Sequence, residues 1–493
     1  MSDQPPPVDD DPAAGAPPPA ASQWLAEQSL EAPLGGLPRR PPLQCRASTP
    51  LGDALRQMDE RRVGSVLVAD DAGVLQGILT RHDVLSRVTL PQRRLDEPIG
   101  AVMSTPVLSL AAEASLQDAA LLMLRHGIRH VPVTEDGRVI NVVSERDLFA
   151  LQRLSLRHLS AELRTAPDLA ALQAGAAHIR GLAHNLLQQG VQARQLTELI
   201  SHLNDLLTER LVVLEAQRAG LNLARACWLA FGSEGRSEQT IATDQDNGLV
   251  LDASVDDAEH ARWLAFGQAV NRGLDACGYP LCKGGVMAGN ADCCLTQPRW
   301  LDRFGHWILH GAPEDLLNAS IYFDLRPLAG NTALAQPLRE LIVREGRRTP
   351  RFCKQLADNA LQRRVPLNWR GAIATATVDG RETLDLKLQG TAIFVDAARL
   401  YALAQGVAET NTRLRLAAVA PLLHAEPREA DAWIGAFECL QALRLRVQVG
   451  AAPDAPPNLL DVGALNDMDR PMLHEALRVA RRLQQRIELD HGR

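Results

Sequence analysis

The chain has 493 residues, 46% hydrophobic and 23% charged, with a formal net charge of −7. That length suits about three domains. The balance is that of a globular protein, and the net acidity gives no support to general nucleic-acid binding. No apolar run reaches the roughly eighteen residues a membrane span needs. The acidic, proline-rich start is unlike a secretory signal, and eight cysteines are few for this length, so a reduced cytoplasmic setting is expected.

Residues 1–40 carry Pro5-Pro6-Pro7, Asp9-Asp10-Asp11 and Pro17-Pro18-Pro19 with few apolar residues. Such a segment buries too little surface to offset its ordering entropy, and a disordered tail is predicted. An internal repeat follows over 41–153. Leu51-Gly52-Asp53-Ala54-Leu55 returns as Leu116-Gln117-Asp118-Ala119-Ala120, and Met58, Val63, Val66 and Val68 return as Met123, Ile128, Val131 and Val133. Each unit reads helix, strand, turn, strand, helix. The second strand of each closes on a hydroxyl with an Asp three positions later: Thr80 with Asp83, and Ser144 with Asp147. A hydroxyl there caps the next helix and can meet phosphate at its positive end, while the Asp can accept ribose hydroxyls. The same spacing is also a plain capping box.

From 154 to 220 the pattern is helical. Leu196, Leu199, Ile200, Leu203, Leu206, Leu207, Leu211 and Leu214 form one apolar stripe, as core packing or a partner surface requires. This region is expected to be a helical connector and a homodimer surface.

Gly232-Ser233-Glu234-Gly235-Arg236 and Thr243-Asp244-Gln245-Asp246-Asn247 come next, between the apolar runs Trp228–Phe231 and Leu249–Leu251. Residues i and i+2 of a strand share a face, so Asp244 and Asp246 can jointly hold Mg²⁺. A Gly-Ser turn lets backbone N–H groups approach a triphosphate. The bland alternative is that Asp244 caps a turn and Asp324 pairs with Arg326 on the surface. Gly278–Asn290 is glycine-rich and holds Lys283, which can reach a phosphate. Cys277, Cys282, Cys293 and Cys294 cluster without the usual zinc spacing. Past residue 345 the chain is mostly helical and rich in Arg and Leu.

Two resemblances stand on these residues. The 41–153 repeat resembles a tandem pair of cystathionine β-synthase (CBS) domains, which implies an adenosyl ligand such as AMP or ATP at Thr80, Asp83, Ser144 and Asp147, and pairing of two chains through the CBS domains. GSEGRSEQTIATDQDNGLV resembles the signature of nucleotidyltransferases of the DNA polymerase β superfamily, closest to the domain related to bacterial PII uridylyltransferase. That family implies a third carboxylate on a later strand, and Ile321-Tyr322-Phe323-Asp324-Leu325-Arg326-Pro327 fits it. The resemblance therefore implies Asp244, Asp246 and Asp324 as catalytic, Mg²⁺-holding acids, and Gly232, Ser233, Arg236, Lys283 and Lys387 as NTP-binding residues. It also implies a helical substrate-contacting C-terminal domain, with Asp385 and Lys387 at its cleft, and a PII-like protein acceptor.

The expected architecture is multidomain α/β plus α: tail 1–40, CBS pair 41–153, connector 154–220, nucleotidyltransferase domain 221–345 and helical domain 346–493. The functional expectation is transfer of NMP from an NTP to a protein or small-molecule acceptor, under control of adenine nucleotide. The other reading is a nucleotide sensor without turnover.

Overall fold

The computed structural model describes residues 33–37, 41–312, 320–378, 380–450 and 455–492, the side chains of 146 and 148–155 excepted. The chain divides into two compact units, 1–158 and 159–493.

In the first unit the repeat is realised strand for strand. β1 (Gln44–Cys45) runs parallel to β2 (Ser65–Ala69), which pairs antiparallel with β3 (Leu75–Thr80). β4 (Leu110–Ala111), β5 (His130–Glu135) and β6 (Arg138–Ser144) repeat that order and sense. Met58, Val66, Val68 and Leu79 share one core, and Met123, Val131, Val133 and Val143 share the other. The predicted tail needs a correction at its end. Leu34 is buried, and the Leu34 and Gly35 amides donate to the carbonyls of Ala114 and Ala112. Two apolar anchors, Leu34 and Leu37, fold that stretch onto the second repeat. The rest of 1–40 lies outside the described residues.

The second unit is built on a four-stranded sheet in the order β10 (Arg326–Gly330), β7 (Ala226–Ala230), β8 (Asn247–Leu251), β9 (Cys294–Thr296). Only the β8–β9 pair is parallel. Strand side chains alternate between faces, and here both faces are apolar. Ala226, Trp228, Leu249 and Leu251 point into one core, while Cys227, Leu229 and Val250 point into another. A sheet buried on both sides needs a helical layer on each.

That requirement overturns the connector. Helices Leu169–Gln188 and Ala193–Ala219 form the layer against the first face, together with helix Asp257–Ala276. Leu203, Leu206, Leu207 and Leu211 of the predicted stripe are buried against Trp228 and Val270, and Leu196 and Ile200 pack with Leu445. The stripe is consumed inside the chain and is not a dimer surface. The helices after 336 cover the opposite face through Phe394, Leu400 and Leu477. The predicted domains 221–345 and 346–493 therefore share one core.

Candidate active site

The D-Q-D-N segment is held by its uneven members. Gln245 donates to the carbonyls of Asn271 (3.0 Å) and Tyr279 (2.8 Å) and accepts from the Asn271 amide at 2.8 Å. Asn247 Oδ1 accepts from Asn271 (2.9 Å) and from the Ala288 amide (2.9 Å). With Gln245 and Asn247 turned into a buried amide network, the period of two turns Asp244 and Asp246 the other way. The acids lie just before β8 rather than within it, on an extended segment whose Gln245 and Asn247 amides bond to Pro280 and Val286 of the glycine-rich stretch.

Asp246 is buried, whereas Asp244 is partly exposed. Burial and the neighbouring Asp244 push the Asp246 carboxyl up to about 7, against the pull of Lys387, the Cys282 thiol and Arg236. Lys387 Nζ stands 3.5 Å from Asp244 Oδ1. It is carried by a turn in which Asp385 Oδ1 accepts the amides of Lys387 and Leu388, both at 2.8 Å. Asp385 is thus a capping residue.

The Gly-Ser turn abuts the same acids. Gly232 has φ +52°, and a Cβ there would lie 2.5 Å from Asp246 Oδ2. At Gly235 a Cβ would collide with the Asp324 backbone carbonyl. Ser233 Oγ lies 3.3 Å from Thr243 Oγ1, tying the turn to the acidic segment. Both glycines are required by close approach. Glu234, buried between them, has its carboxyl pushed up to about 8 by burial and by Asp205, with Arg326 opposing.

Asp324 departs from expectation. It belongs to a short 3₁₀ segment, Ser320–Asp324, ahead of β10, and is fully buried. Oδ1 accepts from Arg399 Nε (3.0 Å) and Arg415 Nη1 (2.6 Å), and Oδ2 from Arg399 Nη2 (2.6 Å) and Arg236 Nη1 (2.7 Å). A carboxylate offers about four lone-pair positions, and all are used. Burial raises its carboxyl, but Arg399, Arg415 and Arg236 outweigh that and hold it well below the usual range. Its arginine partners leave it no site for a cation. Arg236 is likewise committed, to Asp324 and to Glu238 at 2.9 Å, and is not free for a phosphate. Among the described residues no group of three His, Cys, Asp or Glu side chains is placed to share a metal.

Asp244, Asp246, Gly232, Ser233 and Lys387 are thus brought together. Asp324 and Arg236 belong to a separate ion cluster, and Lys283 is exposed without an ion pair among the described residues. Sequence reasoning missed Arg399 and Arg415, which lie 75 and 91 residues from their partner. It also missed the anchoring amides, although the D-Q-D-N alternation was a signal for them.

In the first unit both hydroxyl–Asp pairs form reciprocal caps. Asp83 Oδ2 accepts the Thr80 amide (2.9 Å) and hydroxyl (2.6 Å), and Asp147 Oδ2 accepts those of Ser144 (2.9 and 2.5 Å). Asp83 Oδ1 also accepts from Ser104 at 3.2 Å. Each pair thereby caps the helix that follows it.

The comparisons agree with this division. Residues 34–89 and 99–153 match the family described as "CBS domain". Residues 177–314 match "Putative nucleotidyltransferase DUF294", and 350–490 match "Putative nucleotidyltransferase substrate binding domain". The nucleotidyltransferase match starts well inside the predicted connector, as the shared core requires. The CBS domain-containing protein YhcV of Bacillus subtilis is 35% identical over 100 residues, which is 20% of this chain and 71% of that protein. The A-adding tRNA nucleotidyltransferase of Aquifex aeolicus is 29% identical over 119 residues, 24% of this chain and only 14% of that protein. A solved CBS domain protein from Pyrobaculum aerophilum complexed with AMP aligns at 24% identity and TM-score 0.24, covering 26% of this chain and 99% of that one. Among the described residues no helix is long and apolar enough to cross a membrane.

Proposed function

Because the chain belongs to the CBS-domain proteins and joins its CBS pair to a nucleotidyltransferase-family domain with that family's own substrate-binding domain, we propose that it is a Mg²⁺-dependent nucleotidyltransferase. It moves NMP from an NTP to an acceptor hydroxyl. The observation that carries this reading is the approach of Lys387, from the substrate-binding domain, to Asp244 of the nucleotidyltransferase domain.

The donor set fits the ion. Mg²⁺ takes oxygen ligands and commonly binds through one or two carboxylates plus substrate phosphates. Asp244 and Asp246 supply two, and their mutual repulsion is what a divalent cation relieves. Held there, Mg²⁺ would neutralise phosphate charge in the transition state. The protein's own residues set the geometry. Gln245 and Asn247 fix the two acids, Gly232 keeps space beside Asp246, and Lys387 brings a cation to the exposed side of Asp244. In the overall reaction the acceptor hydroxyl gives up its proton to solvent and its oxygen bonds to the α-phosphorus, as the bond from that phosphorus to the α–β bridging oxygen breaks and pyrophosphate leaves.

UTP as donor and a PII-like protein as acceptor are the choices the uridylyltransferase resemblance favours. Adenine nucleotide at the CBS pair, near Thr80, Asp83, Ser144 and Asp147, is the proposed regulator. Such control needs a ligand with different affinities for two states. If AMP and ATP bind the full chain and leave the transfer rate unchanged, regulation is refuted.

A second reading, a nucleotide sensor without turnover, draws on one observation: Asp324 is committed to arginines. Incubation of the full chain with Mg²⁺, cell extract and α-³²P-labelled UTP, ATP, CTP or GTP separates the two. The enzyme reading expects a labelled acceptor that Asp244→Ala abolishes with the fold retained. Nucleotide binding without label from any of the four favours the sensor.

A further inference from the structure

Three arginines are buried among the described residues: Arg399, Arg415 and Arg444. The first two spend their charge on Asp324. Arg444, on helix Pro427–Gly450, has no carboxylate within ion-pair distance among the described residues and is held by neutral amides alone. Its Nε donates to Asn458 Oδ1 at 3.0 Å and its Nη1 to Gln441 Oε1 at 3.0 Å. Nη2 makes no hydrogen bond among the described residues, yet it is not a sealed, orphaned atom, so it reaches solvent.

Those holders place it. Gln448, one turn along the same helix, donates to Asn458 Oδ1 at 3.3 Å and accepts from the Ala242 amide at 3.2 Å, two residues before Asp244. The Asn458 carbonyl accepts the Leu386 amide at 2.9 Å, next to Lys387. Arg444 therefore sits between the acidic segment and the Lys387 turn. Burial and Arg236 bring its guanidinium down to about 10, while Asp385, Asp244 and Glu238 support the charge. It stays a cation at neutral pH. A buried charge without an ion-pair partner among the described residues is costly, and a fork of donors with one arm free suits a phosphate oxygen.

We propose that Arg444 binds the triphosphate of the incoming nucleotide, completing with Lys387 the cationic side of the site opposite Asp244 and Asp246. This rests on the nucleotidyltransferase reading above.

The test is calorimetric titration of the full-length protein with Mg²⁺–tripolyphosphate and with UMP and AMP, for wild type, Arg444→Gln and Arg444→Lys. Arg444→Gln is expected to weaken tripolyphosphate about 10- to 100-fold and to change either monophosphate less than about 3-fold. Arg444→Lys, with the charge but not the fork, should fall between. Thermal unfolding of ligand-free Arg444→Gln should stay close to wild type, since the change breaks no ion pair among the described residues. Wild type that binds tripolyphosphate, with Arg444→Gln and Arg444→Lys binding equally well, overturns this inference alone. Equal loss for tripolyphosphate and monophosphates with a lowered melting temperature assigns a structural role and also overturns it. Wild type that binds no tripolyphosphate sinks the nucleotidyltransferase reading as well.

Discussion

Asp246 and Asp324 are both buried acids of one unit, on either side of the Gly232–Gly235 turn, and their surroundings are opposite in sign. Around Asp246 negative charge is in excess: Asp244 is adjacent, and the nearest cation, Lys387, is half exposed. Around Asp324 the positive charge is in excess until Glu238 and Asp396 are added, which balance Arg236, Arg399 and Arg415. One region is electrostatically unfinished and suits a cationic ligand. The other is closed and holds the two family domains together, since Arg399 and Arg415 come from the substrate-binding domain. A family motif places an acid in a sequence, but its neighbours decide whether that acid binds a metal or braces a fold.

The sharpest way to break this contrast is to neutralise each acid in turn. Asp324→Asn leaves three buried guanidiniums short of an anion and should cost about 3–5 kcal/mol. Asp246→Asn removes a repulsion and should be neutral or stabilising. Urea unfolding of both variants without divalent cation checks the two signs, and equal destabilisation would erase the distinction.

Cation binding sharpens it next. Mg²⁺ at about a hundred times its dissociation constant should raise wild-type stability by about 2.7 kcal/mol. The Asp244→Asn, Asp246→Asn double variant should lose that increment. Differential scanning calorimetry with and without Mg²⁺ reads it, and an increment that survives the double change places the cation elsewhere.

Glu234, in the turn between the two regions, gives a pH signature. Its folded value of about 8 lies above the ordinary 4.5, so between these values the folded state binds more protons than the unfolded one. Its contribution therefore falls as pH rises through that window. Relative to Glu234→Gln, wild type should lose about 4 kcal/mol between about pH 5 and about pH 8.5. Parallel urea midpoints for the two proteins across that range would remove Glu234 from the account.

The smallest effect concerns Lys387. Its ion pair with Asp244 is half exposed, so Lys387→Ala should change stability by less than about 1 kcal/mol while weakening tripolyphosphate. A large loss of stability would make Lys387 a structural strut.

The sequence by itself determined what is local. The CBS repeat was legible because strand alternation and the hydroxyl–Asp caps act over a few residues, and each recurs twice. The D-x-D segment, the Gly-Ser turn and Lys387 were legible through the family resemblance, and the alternation of Gln245 and Asn247 with the acids follows from backbone geometry. Tertiary structure alone decided the rest. The stripe at Leu203–Leu211 became a layer of the second unit's core because the sheet it faces is apolar on both sides. Asp324 became a brace because Arg399 and Arg415 converge on it from 75 and 91 residues away. Arg444 stands out only because no carboxylate among the described residues was packed within ion-pair distance of it. Burial and charge environment are sums over neighbours brought together by folding, and no local pattern in the chain encodes those sums.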